Sequence, residues 1–198
     1  MRTKTLQIFL SHSGHDAEMA TKIARMVQDH MNEQRYPVKV FCTSLPEDRF
    51  KEDGLAKTEK KDTQTLKAKL AKALFGISPE RSPLEKFLAQ NINKSIVFLS
   101  LLSNKSAKAN SEYIQYELEI IDRYRSRKRK SDGFNAARFY IPLIMEDRSS
   151  SDINPFDQLT KDLKRIQGLI VDPEDVQNRW LSRLCDYLVK TLAPYYYE

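Results

Sequence analysis

Short apolar runs alternate with stretches of helical periodicity along the chain. TLQIFLS (5–11), VKVFCTS (38–44), SIVFLSLL (95–102), RFYIPLIM (138–145) and GLIVD (168–172) read as five strands. A helix is predicted from about Asp16, with Met19, Ile23, Met26, Val27 and Met31 on one face. Ser13 and Asp16 before it have the spacing of a capping box, Asp standing in for Glu or Gln. Further helices are predicted near 84–93, 111–128 and 156–166. A last one, from about 174 to 193, starts after Pro173 and carries Val176, Trp180, Leu184, Leu188 and Leu192. Strands this apolar are buried on both faces, which predicts a parallel sheet covered by helices. The alternation predicts an α/β fold, an open doubly wound five-stranded parallel sheet with helices on both faces. Residues 46–82 break the pattern: polar LPEDRFKEDG leads to one amphipathic stretch, TLKAKLAKALFG, read as an extended loop and inserted helical segment within a single domain spanning 1–198.

Composition changes this picture little. At 198 residues, with 40% hydrophobic and 30% charged positions, the chain is long enough to bury a full core. No apolar run reaches the roughly 20 residues of a membrane span. The first residues, MRTKTLQIFLSHS, have too short an apolar stretch for a signal peptide, so a cytoplasmic location without membrane contact is expected. Two cysteines, Cys42 and Cys185, make neither a disulfide framework nor a four-ligand zinc site. The net charge of +6 is concentrated in KTEKKDTQTLKAKLAK (57–72) and RYRSRKRK (123–130). The second run reads as a solvated helix end favoured by the macrodipole, without the aromatic interleaving of a nucleic-acid surface, so no nucleic-acid partner is expected.

Candidate chemistry gathers at one rim. In an open parallel sheet, ligands bind in the crevice beyond the carboxyl ends of the strands. Ser11, His12, Ser13 and Gly14 of IFLSHSGHD leave the first strand there, Thr43 and Ser44 leave the second, and Ser100 and Ser103 flank the exit of the third. The predicted helix 111–128 has a core stripe of Ile114, Leu118 and Ile121 and follows a polar stretch, SNKSAKANS, read as flexible. Tyr113 and Glu117, four apart, share a neighbouring stripe. Burial beside an aromatic ring raises the pKa of such a carboxyl and a helix N-terminus lowers it; the sequence leaves the balance open. Cys42 and His12 as a nucleophile–base pair carry little weight, because a cysteine in an apolar strand behaves as a small hydrophobe. His12 and His15, without a partner carboxylate, predict no metal site.

IFLSHSGHD resembles the first signature of Toll/interleukin-1 receptor (TIR) domains, and SIVFLSLLSNKSAKANSEYIQYELEII resembles the second, in which a strand ending in Ser and a polar loop precede Ser-x-Trp-x-x-x-Glu-Leu. Here those positions hold Ser111, Tyr113, Glu117 and Leu118. VFCTSLPEDRFKEDG is similar to the second strand and following loop, and RFYIPLI to the apolar-Pro-apolar step; the likeness spans about residues 5 to 190. It implies a flavodoxin-like fold. For members of the enzymatic kind it implies cleavage of the nicotinamide–ribose bond of NAD⁺, a substrate and not a cofactor, by the glutamate matching Glu117. Phe9, Ser11, His12, Ser13, Ser44, Arg49 and Tyr113 are then expected to bind substrate. The products are nicotinamide and ADP-ribose or a cyclic isomer, and the setting is prokaryotic antiviral defence, with homo-oligomers forming through TIR–TIR contacts and a sensor or effector as a further partner. Tyr113 departs from the family's Trp. The alternatives are a non-enzymatic adaptor acting by homotypic contacts and a nucleoside deoxyribosyltransferase-like enzyme. A receiver domain is disfavoured because the first strand lacks paired acids.

Overall fold

The computed structural model describes residues 4–49, 83–109, 117, 118, 121, 139–145 and 168–196. Its elements run β1 (Leu6–Ser11), α1 (Ala17–Glu33), β2 (Val38–Phe41), α2 (Pro83–Lys94), β3 (Val97–Leu102), α3 (Asn104–Ala109), β4 (Phe139–Met145), β5 (Leu169–Val171) and α4 (Arg179–Tyr196). The strands form one sheet in the order β2-β1-β3-β4-β5, every pair parallel. This is the α/β, flavodoxin-like architecture, and its strand order reverses direction between β1 and β3, where the crevice lies. The chain divides into two compact units, residues 1–49 with 89–198 and residues 50–88. The described part of the second is 83–88, the first half of α2, where Leu88 is buried. The expected inserted helix, and the helix near 156–166, lie outside the described residues.

Strand alternation sorts the core into two layers. Leu6, Ile8 and Leu10 of β1, with Val97, Leu99 and Leu101 of β3, pack with Ile23, Val27 and Met31 of α1 and Leu184, Leu188 and Leu192 of α4. The opposite face carries Gln7, Phe9 and Ser11. Gln7 donates to the Asn91 carbonyl and to Ser95 Oγ, both at 3.1 Å, which ties this face to the end of α2. Register places Phe41, Phe9, Phe98 and Tyr140 side by side on four adjacent strands. Their rings form one continuous row, with centroids 5.2, 5.2 and 5.8 Å apart, and all four are buried. Offset contacts of this kind add to the area that each ring removes from water.

Pro142 sits within β4, opposite Ser100. Its carbonyl oxygen would lie 3.1 Å from a Cβ at Gly168, so that group faces the β5 side. Pairing with β5 starts one row later, at Leu143. The proline's missing N–H therefore falls where no fifth strand is present to accept it.

Several boundaries differ from those predicted. β2 ends at Phe41, and a turn closed by Leu45 N–H on the Cys42 carbonyl at 2.9 Å follows. Ser100 lies inside β3, not at its exit, and shares a 2.6 Å hydrogen bond with Tyr140 OH. SNKSAKA is helical from Asn104 rather than flexible. Ser103 Oγ accepts the Ser106 N–H and Ser106 Oγ accepts the Ser103 N–H, each at 2.9 Å, a reciprocal cap that starts α3. The last helix begins at Arg179, not 174. Asp172 and Asp175 capture the N–H groups of Glu174, Gln177 and Arg179, and Asn178 takes φ 48°. Val176, predicted on the core stripe, is consequently 92% exposed.

Phe98→Ala is expected to lower the unfolding free energy by about 3–5 kcal/mol by breaking the aromatic row at its centre. Val176→Ala should change it by less than about 0.5 kcal/mol. Urea unfolding of both variants checks the pair, and a similar cost for each would contradict the two burials.

Candidate functional site

The site is built by the β1–β3 register. Ser11 is the last residue of β1, on the face of Phe9 and in register with Ser100. Glu117 reaches it from helical backbone that also carries Leu118 and Ile121, both buried as the predicted stripe requires. Ser11 Oγ donates to Glu117 Oε2, and the carboxyl is 6% exposed. Burial pushes the Glu117 carboxyl up to about 8, against the hydrogen bond from Ser11, which acts in the opposite direction. The balance left open by the sequence is thus settled by desolvation.

His12 stands beside this pair at the mouth. Its Nε2 is 2.5 Å from Ser44 Oγ, and its Nδ1 is 3.5 Å from the Leu10 carbonyl and 3.8 Å from Cys42 Sγ. Burial lowers the imidazole's pKa, outweighing the Leu10 carbonyl and the negative charge of Asp16, which raise it. Burial pushes the Cys42 thiol up to about 11, opposed by backbone N–H groups of Ser44 and Leu45 and reinforced by the charges of Asp48 and Glu117. A thiol held protonated to that degree is no nucleophile. Phe9, Ser11, His12 and Ser44 are therefore brought together with Glu117.

Ser13 is not part of that group in the manner expected. It is buried, makes no side-chain cap, and donates to Asp16 Oδ2 at 2.7 Å. The predicted capping box fails because the backbone first forms a 3-10 turn, Gly14–Asp16, and α1 starts only at Ala17. Asp16 also receives Ser103 Oγ, 2.9 and 2.8 Å from its two oxygens. This clamp joins the exits of β1 and β3 and commits Ser13 and Ser103 to structure. Sequence reading missed it, the signal being the S-x-x-D spacing, whose carboxylate turns to a strand 87 residues away instead of to the helix.

Asp48 was missed as well. Buried in the loop after β2, it accepts the Cys42 N–H at 3.0 Å and pairs with Lys39 at 3.0 Å, fixing the turn that presents Ser44. Arg49, one residue on, is exposed. Tyr113 lies outside the described residues. Among the described residues no group of three or more His, Cys, Asp or Glu side chains converges as a metal-ligand set, and no helix is long and apolar enough to cross a membrane.

The fold and this crevice define an open parallel α/β domain with a buried carboxyl and a hydroxyl–imidazole pair at its switch point. Neither a protein-family model nor a curated protein matches the chain.

Folded Glu117 keeps its proton up to about pH 8, whereas an ordinary glutamate loses it near 4.5. The folded state binds more protons between those values, so this group's stability contribution is complete below 4.5 and is lost as pH rises through 8. Glu117→Gln removes that loss. The variant should match the parent near pH 5 and gain on it by about 1 kcal/mol per pH unit towards pH 8. Urea unfolding at pH 5, 7 and 9 measures this, and parallel pH curves would contradict it. Cys42 in the folded protein should react with iodoacetamide at pH 8 on the order of a hundredfold more slowly than a free cysteine, as followed by mass spectrometry.

Proposed function

We propose that the protein is a TIR-type NAD⁺ nucleosidase that cleaves the nicotinamide–ribose bond, releasing nicotinamide with ADP-ribose or a cyclic isomer. The observation that carries the reading is the Glu117 carboxyl, buried at the carboxyl edge of the sheet and hydrogen-bonded to Ser11. Its support in the sequence is the likeness of IFLSHSGHD and SEYIQYELEII to the two TIR signatures.

The chemistry needs one carboxylate. A glycosidase acting on a neutral leaving group uses two, one of them to protonate the departing oxygen. In NAD⁺ the departing pyridinium is already cationic and leaves neutral, so no acid is required. A single anion beside the anomeric carbon stabilises the oxocarbenium-like transition state. Glu117 takes that role, Ser11 orients it, and Phe9 lies in the aromatic row beneath. His12 and Ser44 face substrate from the adjacent strand ends, and Tyr113 and Arg49 contribute contacts to the base and phosphates. The substrate's positive charge draws the carboxyl's pKa back down on binding.

Assembly through TIR–TIR contacts, with a sensor or effector as partner, activates the enzyme in a cytoplasmic, prokaryotic antiviral setting. The adaptor reading uses the same contacts without chemistry.

Incubation of concentrated protein with NAD⁺ should release nicotinamide. Glu117→Gln should reduce the rate by a factor on the order of a thousand, while Glu18→Gln, an exposed acid on α1, should not change it. The free enzyme's carboxyl is protonated below about 8. The value of kcat/KM should therefore climb about tenfold per pH unit up to that point and then level off, with the kcat profile displaced to lower pH. Self-association without nicotinamide release at any concentration would favour the adaptor; turnover of deoxynucleosides alone would favour the deoxyribosyltransferase.

A further inference from the structure

Replacing nicotinamide by an oxygen nucleophile sets one proton free. The C–N bond breaks and its electron pair leaves on nicotinamide; the C–O bond forms from a lone pair of water, whose hydrogen must then go to a base. Glu117 is poorly suited to take it. Its negative charge has to remain opposite the developing cation, and at 6% exposure it has little means of returning a proton to solvent.

A second group at the same rim is built for the task. Ser44 is the third residue of the tight turn that Leu45 N–H closes on Cys42. That turn is anchored from behind by Asp48 on the Cys42 N–H and by the Lys39–Asp48 ion pair. Ser44 and His12 are both partly exposed. A carbonyl only accepts, so the contact with Leu10 places the imidazole proton on Nδ1. Nε2 is then the acceptor, and the Ser44 hydroxyl, 2.5 Å away, is its donor. Burial keeps the imidazole neutral near pH 7. Cys42, whose thiol keeps its proton, packs against the ring without competing for that role.

We propose that Ser44, backed by His12, receives the proton of the oxygen that captures the ribosyl cation; this rests on the NAD⁺-cleaving reading. As the oxygen bonds to carbon, its proton passes to Ser44 Oγ while the Ser44 proton passes to His12 Nε2. The imidazolium then gives its proton to solvent. Ser44 contacts the nucleophile and is catalytic. His12 acts through Ser44 and is a positioning residue.

A nucleophile that carries no proton does not need the pair, and a pyridine nitrogen is such a nucleophile. The test compares two reactions of one enzyme, hydrolysis of NAD⁺ to ADP-ribose and exchange of its nicotinamide for added 3-acetylpyridine. Ser44→Ala and His12→Gln should each lower hydrolysis about a hundredfold. Exchange should stay within about threefold of wild type, since cleavage by Glu117 is untouched. A structural role would depress both reactions together, and that result overturns the inference, as does unchanged hydrolysis in either variant. A wild-type protein that performs neither reaction removes the NAD⁺ reading and this inference with it. Turnover by wild type with unselective variants removes the inference alone.

Discussion

The pairing of β1 with β3 is the constraint on which the crevice depends. With Phe9 opposite Phe98 and Ser11 opposite Ser100, one row across the sheet is aromatic and the row above it, two residues on, carries hydroxyls. A slip of one residue would turn Leu10 into the crevice and Ser11 into the layer under α1. The aromatic row is therefore more than packing. It excludes water from the floor below Glu117, and the missing water is what raises the carboxyl's pKa. One register sets the core, the position of the acid and its charge state.

That charge state places stability and the proposed chemistry in opposition. The folded chain favours a protonated Glu117; the proposed reaction requires an anion. A cation bound beside the carboxyl offsets the cost of ionising it, so the substrate supplies what the empty site lacks. Ser11 serves both forms, since a hydroxyl donates to a carboxylate and accepts from a carboxylic acid. The arrangement is an instance of a site kept at some expense to the stability of the whole.

The sheet was legible because its strands are apolar on both faces, and all five predicted runs appear in the parallel order that such runs imply. Periodicity misled where local polar bonds intervened. Val176 lies in phase with Trp180 and Leu184, yet the carboxylates of Asp172 and Asp175 hold the backbone N–H groups in turns and delay the helix. SNKSAKA looked flexible for want of apolar residues, although the serines at 103 and 106 were spaced to cap a helix. At the rim, the sequence gathered the right strand ends but did not separate hydroxyls facing the crevice from those holding it together. Ser13, Ser100 and Ser103 belong to the second kind, bonded to Asp16 or Tyr140. Their partners come from other elements, so no local pattern carries the distinction.

The ground above the site is open in one place. A side chain at Gly14 would meet no atom within 4 Å, so the loop leaving β1 is not packed against a lid at that point. Glu117 itself is covered. A ribosyl carbon in contact with its oxygens therefore requires a movement that uncovers the carboxyl. Ser11 and Phe9 cannot supply it, being fixed in a central strand between β2 and β3. The movement must come from the elements facing them, and in the proposed reading self-assembly provides its free energy. A carboxyl that is both covered and protonated is doubly inactive. Uncovering it readmits water or a cationic substrate, and either lowers its pKa, so the same displacement that opens the site also charges it.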